Sequence, residues 1–476
     1  VNDLKKKTIS GLKWSALERL LSQGIQLVIM MVLARLLGPA SFGLIGMLTI
    51  FLALSQVLID SGFSSALIRK EQCTEKDFST AFCFNISLAF LCYTALYFFA
   101  PKISEFYNQP ALIELARVLG LVILINGFGI VPRTILTINM DFKKQAKISI
   151  VSILVSGMIS VFLAFHEYGA WVLVIQTLLN ALINTLLLNL FTRWKPTFKP
   201  SRQSFNYLFG FGGKLLIAGL LDAFYNNLYQ IVIGKKFDAY QLGHYTQANQ
   251  LSSVPAMTLT NVIQRVTYPM FSHIQKEKER MDRAYILTMK IAALFIFPLM
   301  VGLAIIATPL LTLVLGNDWK PAGILVSILS IGYMLYPIHA INLNLLQVKG
   351  RSDLFLKLEV IKKILATLLL VITIPYGIKV MCAGLVMHSY LSLLINSYYT
   401  GKLSSLSGIA QLKAILPVWI ITICSAVIAF ATMSTLTKND IYQVAGMLVI
   451  SPILYILFIF LFQKELFMIV LKIKKK

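Results

Sequence analysis

Charge is what this chain has least of. Only 13% of its 476 residues are Asp, Glu, Lys or Arg, against the roughly 25% of a soluble domain. With a mean hydropathy of +0.77, the composition leaves no room for a separate soluble domain. The gaps between apolar runs are loops of about ten to twenty residues, too short to bury a core of their own. Five cysteines (Cys73, Cys83, Cys92, Cys382, Cys424) fall at no metal-ligand spacing, and four of them lie in apolar runs. They read as small buried hydrophobes, neither a disulfide framework nor a metal site. The chain also lacks a P-loop, an HExxH pair, a GxSxG elbow and any long loop with the paired acids of a membrane glycosyltransferase. Neither enzymatic activity nor a cofactor is expected.

What the chain does have is apolar length. About fourteen stretches of roughly twenty apolar residues run from Leu20 to Phe462, and a helix of that length crosses the hydrocarbon of a bilayer. The spans expected are 12–37, 41–67, 78–100, 111–137, 146–166 and 168–192, then 208–234, 241–270, 285–306, 322–348, 355–376 and 379–400, and finally 411–434 and 442–463. The expected fold is therefore an all-α integral membrane protein of about 14 transmembrane helices. Short outer loops pair successive helices as antiparallel hairpins. The opening VNDLKKKTISGLKWSALERLL is basic and amphipathic without a small-residue cleavage site, and reads as a retained segment rather than a secretory signal.

The net charge of +23 does not indicate nucleic acid. Lys and Arg return at every second loop, as in Lys5–Lys7, Lys143/Lys144/Lys147, Arg193/Lys195/Lys199/Arg202, Lys276/Lys278/Arg280/Arg283, Lys349/Arg351/Lys357 and the tail Lys472–Lys476. The intervening loops carry few, among them Arg35, Lys102, Lys320, Lys379 and Lys438. That asymmetry encodes topology, with both termini cytoplasmic. No loop has the length or aromatic interleaving of a nucleic-acid surface.

An internal repeat runs at an offset near two hundred residues. LLGPASFGLIGM (Leu36–Met47) joins the first two spans and KFDAYQLGHYTQA (Lys236–Ala248) the seventh and eighth, pairing Gly43 with Gly243. The fourth span of each half ends alike, in TINMDFKKQAK and QVKGRSDLFLK, and each contains a proline, Pro132 or Pro337, where a kink is expected. The halves are parallel repeats, as in several transporter families. They divide the chain into an N-lobe (1–200, helices 1–6), a C-lobe (201–403, helices 7–12) and two further helices (404–476).

Polar stripes cross these spans. Ser15, Glu18, Arg19, Ser22, Gln23 and Gln26 recur at three- and four-residue steps on the first, and Asp222, Asn226, Asn227, Tyr229 and Gln230 on the seventh. Gln247, Gln250, Ser253, Asn261, Gln264 and Arg265 run down the eighth, and Gln56 and Asp60 mark the second. Such groups must face protein or water, so the set implies a wet cavity. Taken singly, each amide reads as interhelical glue. Asp222 is either a proton-coupling carboxyl or a structural partner of Arg19 or Arg265. Asp60 and Glu18 are weaker ion-coupling candidates, nearer the interface. Arg19, Arg133 and Arg265 either snorkel to headgroups or form a cationic mouth for a phosphate. His244, His339 and His388 read as hydrogen-bonded structural residues.

The opening KTISGLKWSALERLLSQGIQLVIMMVLARLLGPASFGLIGM resembles that of bacterial Wzx-type polysaccharide flippases, as do DSGFSSALIRKE (Asp60–Glu71), MDFKKQAKISI (Met140–Ile150), NVIQRVTYPMFSHIQ (Asn261–Gln275) and LGNDWKPAG (Leu315–Gly323). More narrowly, the chain is similar to the WzxC-like branch of the polysaccharide transporter family, within the multidrug/oligosaccharidyl-lipid/polysaccharide superfamily. The resemblance implies two six-helix lobes around a central cavity working by alternating access. It implies as cargo an undecaprenyl-diphosphate-linked oligosaccharide crossing the bacterial inner membrane, for lipopolysaccharide (O-antigen), capsule or exopolysaccharide. Membrane lipids, a coupling ion (H+ or Na+) and a polymerase with its export machinery are the implied partners. Arginines in the cleft of related peptidoglycan-precursor flippases make Arg19, Arg133 and Arg265 analogues in role, with Gln23, Gln26, Asn226, Gln230, Gln250 and Asn261 as cavity amides. The readings set against it are an ion-coupled drug or metabolite antiporter of the same superfamily, a membrane glycosyltransferase or polymerase, and a non-transporting scaffold.

Overall fold

The computed structural model describes the backbone of residues 2–404 and 406–474, with side chains for residues 14, 21–404 and 406–469. Among the described residues every regular element is a helix. The first is α1 (Asn2–Asp60), followed by α2 (Phe63–Arg69), α3 (Glu75–Tyr107), α4 (Leu112–Leu119) and α5 (Leu121–Ile138). Then come α6 (Phe142–Ala164), α7 (Trp171–Thr192), α8 (Arg202–Lys236), α9 (Ala239–His273) and α10 (Lys278–Leu315). The chain continues through α11 (Lys320–Tyr333), α12 (Tyr336–Val348), α13 (Ser352–Thr373) and α14 (Ile378–Leu403), and ends in α15 (Gly408–Leu436), α16 (Asp440–Phe462) and α17 (Lys464–Lys474).

Among the described residues, eleven stretches are long and apolar enough to cross a membrane. One of them, Leu21–Arg69, holds two expected crossings, one on each side of Gly38. Two more helices, α9 and α13, are long enough at 35 and 22 residues but too polar to qualify. Each of the fourteen expected spans thus has its helix. The short α17 was not anticipated.

The turn between the first two crossings shows why its residues are what they are. Gly38 takes φ 70° and ψ 171°, a region essentially reserved for glycine, and Pro39 opens the next helix, where its missing N–H is no loss. In the other half Asp238 does this work, its carboxylate accepting from the Gln241 N–H at 2.7 Å to cap α9.

Proline behaves differently in the two halves. The tenth crossing breaks as expected, α11 ending at Tyr333 and α12 starting just before Pro337. The kink expected at Pro132 does not break the helix: α5 runs through it, and the element boundary falls earlier, at Gly120. A proline strands the carbonyl four residues before it. Here that acceptor, Phe128, receives the side-chain amide of Asn189 at 3.4 Å.

The chain packs as two compact units, Val1–Gly243 and His244–Lys476. In the first, Phe63, Ala66, Leu67, Phe82, Val131 and Leu208 form a buried core where α2, α3, α5 and α8 meet. The segment 193–201 is strapped along the start of α3. The Trp194 indole donates to Glu75 at 2.9 Å, Thr197 and Ser79 share a hydroxyl bond of 2.7 Å, and the Ser201 N–H reaches Thr80 at 2.9 Å. Close approach follows, since a Cβ on Gly212 of α8 would stand 2.4 Å from the Ser61 carbonyl oxygen. This strap and contact hold α8 in the first unit, so the packing boundary falls after the seventh crossing.

The second unit has its own core around Tyr285, Met289, Phe297, Met334, Ile338 and Ile341. Polar bonds thread it: the Tyr285 hydroxyl lies 2.6 Å from Asn342 Oδ1 and 2.9 Å from Gln411 Oε1, and the Tyr455 hydroxyl donates to the Leu294 carbonyl at 2.8 Å. These bonds tie α15 and α16 to α10 and α12.

Candidate functional site

In the first unit the second crossing presents Gln56 and Asp60 towards α5. Asn126 Nδ2 donates to Gln56 Oε1 at 2.9 Å. The half-buried Asp60 carboxylate accepts from the Ser64 hydroxyl, and Thr134 Oγ1 lies 3.1 Å from Ser64 Oγ. One residue earlier, Arg133 is exposed and donates to Asn184 Oδ1 of α7 at 2.8 Å. Gln56 and Asp60 are thus engaged in hydrogen bonds between helices. Gln23 and Gln26 are half-buried on α1. The side chains of Glu18 and Arg19 lie outside the described residues.

Helix α8 is different. Lys214, Asp222 and Asn226 are exposed and Gln230 is half-buried, all on one face at steps of four or eight residues. Asp222 stands three residues past the middle of the 35-residue helix, about 4.5 Å along its axis. Between roughly 100° and 160° around the same helix from Asp222, Ile217, Leu221 and Phe224 form an exposed apolar stripe, at 64%, 52% and 45% exposure. Gln230 Oε1 is enclosed without a hydrogen-bond partner among the described residues.

In the second unit α9 carries Gln250, Asn261 and Arg265 on one face. The two amides are half-buried, and Arg265 is exposed with no ion pair or side-chain hydrogen bond among the described residues. Two of the three histidines named from the sequence make hydrogen bonds and the third a ring contact. His339 Nε2 lies 3.2 Å from Ser389 Oγ, His388 Nε2 lies 3.0 Å from the Lys362 carbonyl, and His244 packs edge-on against Trp319.

Several charges within the expected spans were passed over in the sequence. Lys214, Lys290, Glu359, Lys362 and Lys363 all sit inside stretches read as crossings, and an ionisable residue there is by default a candidate for function. Glu359 and Lys362 pair on α13. Lys214 and Lys290 have no such partner among the described residues. Among the described residues no three His, Cys, Asp or Glu side chains gather as a metal site.

The profile of the polysaccharide biosynthesis protein family matches residues 32–324. The chain belongs to that family. Among its relatives, the teichuronic acid biosynthesis protein TuaB of Bacillus subtilis (strain 168) is 27% identical over 451 residues, covering 94% of this chain and 93% of the relative. The lipopolysaccharide biosynthesis protein WzxC of Escherichia coli (strain K12) is 27% identical over 364 residues, 76% of this chain and 74% of the relative. The resemblance to the WzxC-like branch is therefore met in a named relative. This family member also shares the fold of the lipid II flippase MurJ in an inward closed conformation, with a TM-score of 0.76 at 15% identity over 96% of this chain and all of that one. A multidrug resistance MATE family transporter of the MOP superfamily, in an inward-facing conformation, aligns at a TM-score of 0.61 and 17% identity over 84% of this chain and 99% of that one. Family and fold together give a member of the polysaccharide biosynthesis protein family with an all-helical fold like that of MurJ and the MATE transporter.

Proposed function

We propose that this protein flips a lipid-linked oligosaccharide, an undecaprenyl-diphosphate-bound sugar, from the inner to the outer leaflet of a bacterial inner membrane, with both termini cytoplasmic. The observation that carries the reading is the exposed stripe of Asp222 and Asn226 near the middle of α8, in a chain of this family. An amide exposed at that depth, as Asn226 is, is stable only against water or protein, because an unpaired polar group in hydrocarbon costs several kcal/mol. Water beside α8, with lipid against the adjoining apolar stripe, suits a cargo whose tail stays in the bilayer while its sugar passes through a wet path.

Arg265 is the cation best suited to the diphosphate, its guanidinium being uncommitted and geometrically matched to two phosphate oxygens. Arg133 serves the same purpose more weakly, since Asn184 already holds it. The repeat lobes, 1–200 and 201–403, are the bodies proposed to rock in alternating access, with 404–476 added to them, except that α8 is held in the first unit and moves with it. Asp222 is the first candidate for coupling to an ion, followed by Asp60 and Glu18. A polymerase and export machinery would take up the flipped product.

Deletion of the gene, followed by analysis of undecaprenyl-linked sugars, tests this. Accumulation of one such intermediate on the cytoplasmic leaflet is expected. Altered sensitivity to toxic small molecules with no lipid intermediate would instead support the antiporter reading that the MATE-like fold also accommodates.

A further inference from the structure

The strap between α7 and α8 has an outer face with no place in the transport reading. Pro196 and Pro200 deprive it of two amide N–H groups, so backbone pairing does not hold it down. Bonds that each use a side chain do so instead, from Trp194, Thr197 and Ser201 to Glu75, Ser79 and Thr80 of α3. The residues around those anchors, Arg193, Lys195, Phe198, Lys199 and Arg202, are all exposed. Each of the two lysines precedes a proline, which confines its backbone to extended conformations. None of the four cations has an ion pair, a side-chain hydrogen bond or a stacked ring among the described residues. The neighbouring cations are committed: Arg69 lies 4.7 Å from the centre of the Phe211 ring, and Lys70 pairs with Asp77 at 2.7 Å. Glu75 accepts from Trp194. Glu71 is then the one acid of the segment 71–77 without a partner among the described residues. Four uncommitted positive charges stand against one negative.

Depth decides what such a face meets. Helix α3 has 33 residues and is about 50 Å long. Centred on a hydrocarbon about 30 Å thick, it overhangs by about 10 Å at each end. Phe82 stands seven residues past the start of α3, about 10 Å along the axis and therefore at that boundary. Trp194 and Phe198 both pack edge-on against Phe82, with ring centres 5.4 and 5.9 Å away. The strap thus lies at the level of the headgroups. Phe198 is 67% exposed there and holds φ 50°, a backbone conformation costly for an aromatic residue. An exposed ring beside a lysine at this depth is the pairing that anchors a segment in the interface. We propose that this face binds the phosphate-bearing headgroups of anionic phospholipids in the adjoining leaflet. Lys195 and Lys199 donate to the phosphate oxygens, Arg193 and Arg202 add to the attracting field, and Phe198 rests against the start of an acyl chain. A zwitterionic headgroup brings a cation of its own, which the same four charges repel, so the face selects for net negative charge.

Native mass spectrometry of the full chain, with phosphatidylglycerol, phosphatidylethanolamine or phosphatidylcholine added in equal amounts, tests the proposal. The wild type is expected to retain phosphatidylglycerol about tenfold or more over either zwitterionic lipid. Lys195→Gln and Lys199→Gln should each lower that retention about fivefold, and together bring it to the zwitterionic level. Lys413→Gln, at an exposed lysine of α15 in the second unit, removes one charge elsewhere and should change nothing. The two strap lysines bond to nothing among the described residues, so their variants keep the fold. Equal retention of the three lipids by the wild type, or a loss in Lys413→Gln as large as in the strap variants, would overturn the proposal. Undiminished retention of phosphatidylglycerol by the double variant would overturn it too, and would leave this face to an acidic protein partner. None of these lipids carries an oligosaccharide, so no outcome bears on whether one is flipped.

Discussion

Met140 and Gly350 close the fourth crossing of each half with the same pair of bonds. The Met140 N–H reaches the Thr137 carbonyl and Asp141 the Leu136 carbonyl, at 3.0 and 2.9 Å, while Gly350 and Arg351 reach Gln347 and Leu346, both at 3.0 Å. Both residues hold positive φ, 55° and 70°, but only glycine does so without steric cost. Met140→Gly is therefore expected to stabilise the protein by about 0.5–1 kcal/mol, read as a raised unfolding midpoint in detergent; a lowered midpoint would mean the methionine side chain matters more than its backbone. At the same scale, charge decides function. Arg265→Ala should abolish most export while leaving the amount of protein in the membrane unchanged, and Arg133→Ala should impair it less, because its guanidinium is already engaged by Asn184. Equal export by both variants and the wild type would remove these arginines from the path. Asp222→Asn should erase the dependence of export on external pH if its carboxyl carries the coupled proton, and a retained pH profile assigns coupling to another group or ion. The amides of these stripes were legible because polar residues stand out in apolar runs. The lysines at 214 and 290 were not, because the basic-loop pattern drew attention to the helix ends.

Between elements, the sequence pairing of Gly43 with Gly243 has a reciprocal counterpart inside the first unit. A Cβ on Gly43 would stand 1.7 Å from the Ala239 carbonyl oxygen, and one on Gly243 would stand 1.9 Å from that of Pro39. The second helix of each repeat thus lies directly over the opening turn of its counterpart, a contact with no room for a methyl group. Gly43→Ala and Gly243→Ala should each destabilise by about 1–3 kcal/mol through forced separation of backbones, and by similar amounts given the symmetry. Gly24→Ala, with nothing within 4 Å, is the control and should be near neutral. Melting curves that fail to separate the pair from the control would break the link between repeat and packing. The repeat was readable from its motifs, but the attachment of α8 to the first unit was not. That attachment depends on Trp194, Thr197 and Ser201, polar residues of a linker whose partners at Glu75, Ser79 and Thr80 lie over a hundred residues away. The same holds for Pro132, whose expected kink is answered by Asn189 of another helix.

For the molecule as a whole, length and apolar runs sufficed to read fourteen helices, since a bilayer admits few other solutions. They did not suffice to say which exposed faces meet water, because exposure in a membrane protein has two meanings. Helix α8 separates them on one element. Asn226 and Leu221 are both exposed, five residues and therefore roughly 140° apart around the helix. Cysteine placed at 226 should react with a membrane-impermeant maleimide in at least one state of the cycle, whereas cysteine at 217 or 221, on the apolar stripe, should stay unlabelled in intact membranes. Cysteine at the half-buried positions 26 and 250 should label more slowly than at 226, and faster when transport is running than when it is arrested, since only movement uncovers them. Labelling at 221 but not at 226 would turn α8 around, putting its carboxylate against lipid or protein and leaving the oligosaccharide no wet route along this helix.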